Sequence, residues 1–149
     1  MVAAVLAAHP ATGVGANADG LDLGGQVAAE AFAQRMAVHP HRRLAVLAEA
    51  LARHPQSAPA LAVIALRAGG ARSIPEVMTL AVRASPTGAA AVTEAAVRSA
   101  PRMAPAIVVA ACRTAPDRRE HILAQALAAA PDLASSIRLA VASLGRSPA

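Results

Sequence analysis

The chain has no lysine, so all 14 of its basic side chains are arginine. It has no tryptophan or tyrosine either, and Phe32 is its only aromatic residue. Single-stranded nucleic acid is usually held on aromatic platforms, which this composition cannot supply. The missing lysine also rules out a Walker-type phosphate loop. Cys112 is the only cysteine, which excludes an intrachain disulfide and a cysteine-based metal cluster. No run of 18 or more apolar residues could cross a membrane as a clean helix. The aromatic strand formers are nearly gone, and alanine, the best helix former, supplies almost a third of the chain. The composition therefore predicts an all-α protein of one domain. An Ala/Arg/Pro/Val-rich, lysine-free chain also points to a GC-rich bacterial genome. Part of the basic balance then reflects codon usage, and the net charge of +5 permits an anionic partner without naming one.

What the chain does have is a period. Pro40, Pro55, Pro86, Pro101, Pro116 and Pro131 recur on a fifteen-residue count, with Gly70 in the missing place and Gly145 at the close. The units read 40–54, 55–69, 70–85, 86–100, 101–115, 116–130 and 131–145, the third with one extra residue near Ile74. The seventh place holds Val46, Leu61, Val77, Val92, Ile107, Ile122 and Ile137. The eleventh is alanine from Ala50 to Ala126, then Val141. The twelfth holds Leu51, Leu66, Val82, Val97, Cys112, Leu127 and Ala142. Residues four or five apart lie on one helical face, so each unit reads as one short helix with an apolar stripe. Ser73–Glu76 and Asp117–Glu120 have capping-box spacing, and Pro59, Pro75 and Pro105 sit where a first turn tolerates proline.

Helices this short are marginal alone in water, so they must pack on one another. Short connections make consecutive helices antiparallel. The expected fold is an all-α, right-handed α-solenoid of short antiparallel helices, one per fifteen residues. Residues 25–145 resemble in outline the helical-repeat class that includes tetratricopeptide and HEAT repeats, without the Trp, Gly and Tyr signature of the former. Residues 1–24 read as a flexible lead and 146–149 as a tail. Within the lead, Ala16-Asn17-Ala18 has the look of a signal-peptide cleavage site, though no basic segment precedes the apolar run. "GVGANA" at 13–18 imitates a dinucleotide loop, but helical repeats follow it instead of a βαβ unit. The expected location is the cytoplasm, with the periplasm or secretion as the alternative if residues 1–18 belong to a signal peptide.

Arginine fills the thirteenth place of four units: Arg67, Arg83, Arg98 and Arg113. In an antiparallel stack Arg67 and Arg98 share one edge, and Arg83 and Arg113 the other. Such rows suit carboxylates or phosphates. Cations at helix C-termini also complement the dipole, worth about 0.3–1 kcal/mol each. Arg42–Arg43 and Arg118–Arg119 lie near helix starts, where a cation is less favourable. These eight arginines are the candidate partner-binding residues. His9, His39, His41, His54 and His121 have no metal-ligand spacing, and Cys112 stands in a core column. "MAPAIVVAAC", 103–112, is apolar on every face and reads as a buried central rung. No acid/base pair, nucleophile constellation or cofactor motif is legible. The chain is read as a non-enzymatic scaffold or protein-interaction module, whose partner is a protein, a peptide or another copy of itself. The alternative is arginine-mediated binding of an anionic partner such as nucleic acid.

Overall fold

The computed structural model describes residues 23–145. The lead as far as residue 22, with its signal-like and glycine-rich stretches, and the tail 146–149 lie outside the described residues. Among those described there are eight α-helices and no strands: α1 Leu23–Val38, α2 Arg43–Arg53, α3 Ala58–Gly69, α4 Ile74–Ala84, α5 Ala89–Ser99, α6 Ala104–Thr114, α7 Arg119–Ala129 and α8 Ala134–Leu144.

The breaks explain the proline period. His39, His54, Ser85, Ala100, Ala115 and Ala130 each precede a proline, and each adopts φ between −120° and −142° with ψ between 63° and 75°. The proline ring excludes helix at the residue before it and presets its own φ for the turn that follows. One residue therefore ends one helix and opens the next. The Ala100 N–H donates to the Ala96 carbonyl at 3.0 Å, and the Ala100 carbonyl accepts from the Met103 N–H at 2.9 Å. The same pair of bonds recurs at Ala115 and Ala130.

Gly70 makes the one break that no proline follows, and it uses φ 67° and ψ −164°, a region essentially reserved for glycine. This places the register differently from the sequence reading. Ala71, not Gly70, takes the leading position, and Val77 then falls in the seventh place with no insertion. The extra residue belongs to the preceding unit, whose helix α3 has 12 residues where α2 and α4 through α8 have 11 each. That residue is Gly69, where a Cβ would collide with the Ser73 hydroxyl.

Neither capping box forms. The Ser73 hydroxyl donates backward to the Gly70 carbonyl at 2.8 Å, and the Asp117 carboxylate sits 3.5 Å from Arg118 Nε. The helices α2 to α8 start without a side-chain cap. A single 3₁₀ turn precedes α2, α3, α4, α6, α7 and α8, and its i→i−3 bond takes up a donor that a cap would otherwise satisfy. Pro59, Pro75 and Pro105 do occupy first turns.

The helices stack in two layers. The most extensive packing joins helices two apart, α3 with α5 and α5 with α7 in one layer, α4 with α6 and α6 with α8 in the other. Consecutive helices from α1 to α7 also pack on one another, and across the last break, between α7 and α8, the chain turns by 116°. The apolar stripe of each unit fills the space between the layers. All seven residues of the seventh place are buried, as are all seven of the eleventh. The twelfth is buried through Cys112, then opens at Leu127 and Ala142, in the last two described units. The eighth place, which the sequence pattern did not single out, joins the core with Leu47, Ala62, Met78, Thr93 and Val108. Thr93 satisfies its hydroxyl by donating to the Ala89 carbonyl at 2.8 Å. In α6, Ala104, Ile107, Val108, Ala110, Ala111 and Cys112 are buried as expected, while Ala106 faces solvent.

Candidate interaction edge

Alternate units share a layer, so alternate turns share an edge. The turns entering the even helices, 39–42, 70–73, 100–103 and 130–133, line one edge of the stack; those leaving them, 54–57, 85–88 and 115–118, line the other. Arg67 and Arg98 end α3 and α5 at the first edge, and Arg83 and Arg113 end α4 and α6 at the second. All four are exposed. Arg98 pairs with Glu94 at 2.7 Å, and the other three make no ion pair among the described residues. At helix C-termini, complementing the dipole is reason enough for their positions.

The two arginine pairs at helix starts divide. Arg119 is half-buried and its guanidinium donates to the Val141 carbonyl in the last turn of α8 at 2.6 Å. Arg43 is also half-buried, its Nε 3.5 Å from the Met36 carbonyl at the end of α1. Both occupy the fourth place, which elsewhere holds buried Ala58, Ile74, Ala89 and Ala104 and half-buried Ala134. Their charge goes to orphan carbonyls of a neighbouring helix end, so they serve the stack itself. Arg118 is exposed against Asp117. Arg42 is exposed, with no hydrogen bond or ion pair from its side chain among the described residues.

Two further arginines belong with Arg42. Arg72 and Arg102 stand in the turns entering α4 and α6, both exposed and without a side-chain partner among the described residues. They occupy the second place of their units, one short of Arg42, which stands third after Pro40 and His41. That they share an edge with Arg42 emerges only once alternate units are known to share a layer, which is why stacking consecutive units passed over them. The first three turns of this edge, with the residues that flank them, hold no acid; Glu76 lies one turn into α4, and Asp132 stands in the last turn.

Beside this edge the outer face between α2 and α4 is largely apolar. A groove of about 470 Å³ runs between α2 and α4, lined by Leu44, Ala48, Pro75, Glu76, Thr79 and Leu80. Leu44 is 41% exposed. The odd layer carries exposed His121 and Glu120 on α7 and half-exposed Glu94 on α5, and its helix α1 exposes Val27 and Val38.

The titratable groups show only local ion pairing and burial. Arg35 and Arg53 both reach Glu49 at 2.6 Å and hold its carboxyl below the ordinary carboxylate range. Burial pushes the Cys112 thiol up, against a smaller opposing pull from Arg119. That is an inert core cysteine, the opposite of an activated one. No group of three or more metal-ligating side chains occurs among the described residues, and His39, His41 and His121 are exposed separately. No single helix among the described residues is long and apolar enough to cross a membrane. Comparison of the chain with protein-family models, curated proteins and solved structures finds no match in any of the three.

Proposed function

We propose that this protein is a non-enzymatic helical-repeat module that binds an anionic protein partner along the edge where the even helices begin. The observation that carries this reading is the row Arg42, Arg72 and Arg102. Each is exposed, and none has a side-chain partner among the described residues. Each sits at the positive end of the helix it precedes, where a cation opposes the dipole. Local electrostatics account for the arginines at helix C-termini, and carbonyl bonds account for Arg43 and Arg119. Neither accounts for this row, and an external anion does. Phe32, the only aromatic, is 3% exposed, so base stacking contributes nothing to an anionic partner. That favours carboxylates on a protein over single-stranded nucleic acid. The proposed setting is the cytoplasm, with the periplasm or secretion as the alternative if residues 1–18 act as a signal segment.

The test is affinity capture from the source cells with the wild-type chain and with Arg42→Gln/Arg72→Gln/Arg102→Gln. The expected result is a protein that the wild type retains after nuclease treatment and that the triple variant loses. Equal recovery by both chains would remove the edge from the interaction. Recovery abolished by nuclease would transfer it to nucleic acid.

A further inference from the structure

We infer that the groove between α2 and α4 is the anchoring pocket of that interaction, and that its occupant is an acidic amphipathic segment of the partner carrying an aliphatic anchor side chain. The inference rests on the proposed protein-binding role and adds the site and the chemistry of the ligand.

Four observations converge. The groove is shallow, open and apolar, with Leu44, Ala48, Thr79 and Leu80 forming most of its wall. Surfaces of this kind accept the apolar face of a helix or a single protruding side chain. Its two helices are those whose entry turns carry Arg42 and Arg72. Arg42 lies two residues before Leu44, and Arg72 three before Pro75. An anchor seated here therefore brings its flanking residues to two guanidinium groups suited to bidentate carboxylate binding. Charge on the whole layer agrees: the even units and their entry turns, 40–53, 71–84, 101–114 and 131–144, hold eight arginines against three acids, the odd units five against four. The wall also contains a carboxylate, Glu76. It lies further from the helix start than Arg72, so it steers ligand carboxylates toward the arginine edge and leaves the groove floor to the apolar anchor.

The apolar content of the groove decides against two other occupants. An anionic bilayer takes several protruding large apolar side chains, and of the groove's wall only Leu44 is at once large, apolar and exposed. A polyanion without apolar groups, such as an oligonucleotide, would use the arginines and leave the groove empty. An acidic amphipathic peptide uses both.

The probe is a short labelled peptide of glutamates with leucines at helical spacing, titrated against the full chain by fluorescence anisotropy at several salt concentrations. Leu44→Gln and Ala48→Leu alter the groove at exposed positions without changing charge. Arg42→Gln/Arg72→Gln alters the edge without touching the groove. Thermal melts confirm that all three variants keep the wild-type fold. The wild type is expected to bind the peptide, more weakly as salt rises. Each groove variant should lose at least about tenfold in affinity with the salt dependence retained. The arginine variant should lose affinity and flatten the salt dependence.

Affinity unchanged in both groove variants, or equal affinity for the same peptide with alanine in place of leucine, would overturn the groove assignment and leave the edge reading intact. Absence of any peptide binding at low salt would overturn the inference, while the capture experiment judges the edge independently. Tighter binding to an oligonucleotide or to phosphatidylserine vesicles, lost in the arginine variant, would overturn it in favour of those ligands. A dimer in sedimentation that Leu44→Gln dissociates would assign the groove to a second copy and overturn it equally.

Discussion

The two layers share one core and differ on the outside. Facing inward, the layers contribute the same columns, and Ile107 from α6 is as buried as Ile122 from α7. Facing outward, the even layer has an apolar groove between α2 and α4, with Arg42 and Arg72 in its entry turns making no ion pair among the described residues, whereas the odd layer carries Glu94, Glu120 and His121. The inner faces of a repeat array answer to packing and must match from rung to rung. The outer faces carry no such constraint, so an asymmetry between them needs a cause outside the fold. This contrast directs attention to the even layer.

The widest test of the comparison is the shared core. Ile107→Ala and Ile122→Ala should each cost about 2–5 kcal/mol in thermal or denaturant melts, because both side chains are fully buried. Similar losses support one core serving both layers, and a large cost in only one would break that equivalence. Next is Gly70, the break without a proline, on the arginine edge. Gly70→Ala meets open space but an unfavourable backbone, and should cost about 1–3 kcal/mol.

The arginines themselves should then separate into two classes. Arg119→Ala should lose about 1 kcal/mol, since a charge-assisted bond to the Val141 carbonyl is broken at a half-exposed site. Arg42→Gln/Arg72→Gln/Arg102→Gln removes cations from helix N-termini and should leave stability unchanged or raise it by a few tenths of a kcal/mol per site. A loss approaching that of Arg119→Ala would show these three to be structural, and the difference between the layers would lose its functional meaning.

The smallest effect is expected at Glu49, whose carboxyl Arg35 and Arg53 hold below the usual carboxylate range. A lowered pKa in the folded state contributes stability above the unfolded pKa, which is lost as pH falls through the folded value. The melting-temperature gap between wild type and Glu49→Gln should therefore be constant near neutrality and close below about pH 4.5. A gap that persists in acid would show that the pair contributes packing and not charge.

Much of this was legible in the chain, and the limits are physical. The proline count marked six of the seven breaks because pre-proline sterics act on a single neighbour and need no tertiary context. At Gly70 the count slipped by one residue. Glycine can itself be the break, whereas proline only follows one, and a one-dimensional alignment treats the two as equivalents. The capping boxes failed for a related reason: their spacing was right, but each of the two helices is entered through a 3₁₀ turn, in which the Ser73 hydroxyl donates back to the Gly70 carbonyl and Arg118, not Asp117, takes the N-cap position. Arg43 and Arg119 looked like partner-binding residues because their targets, carbonyls at the ends of other helices, lie outside any local pattern. Arg72 and Arg102 were missed because they align only through the layering.

Composition and proline spacing alone determined that short helices would form, where six of the breaks would fall and that the seventh and eleventh columns would be buried, since helix propensity, ring sterics and the 3.6-residue period all act within about one turn. Only the tertiary structure decided which units share a layer, and with that which arginines find a carbonyl, which find a carboxylate and which stand in a row with nothing beside them. Those outcomes depend on what each side chain meets across the stack, and proximity between helices two units apart is set by packing rather than by position along the chain.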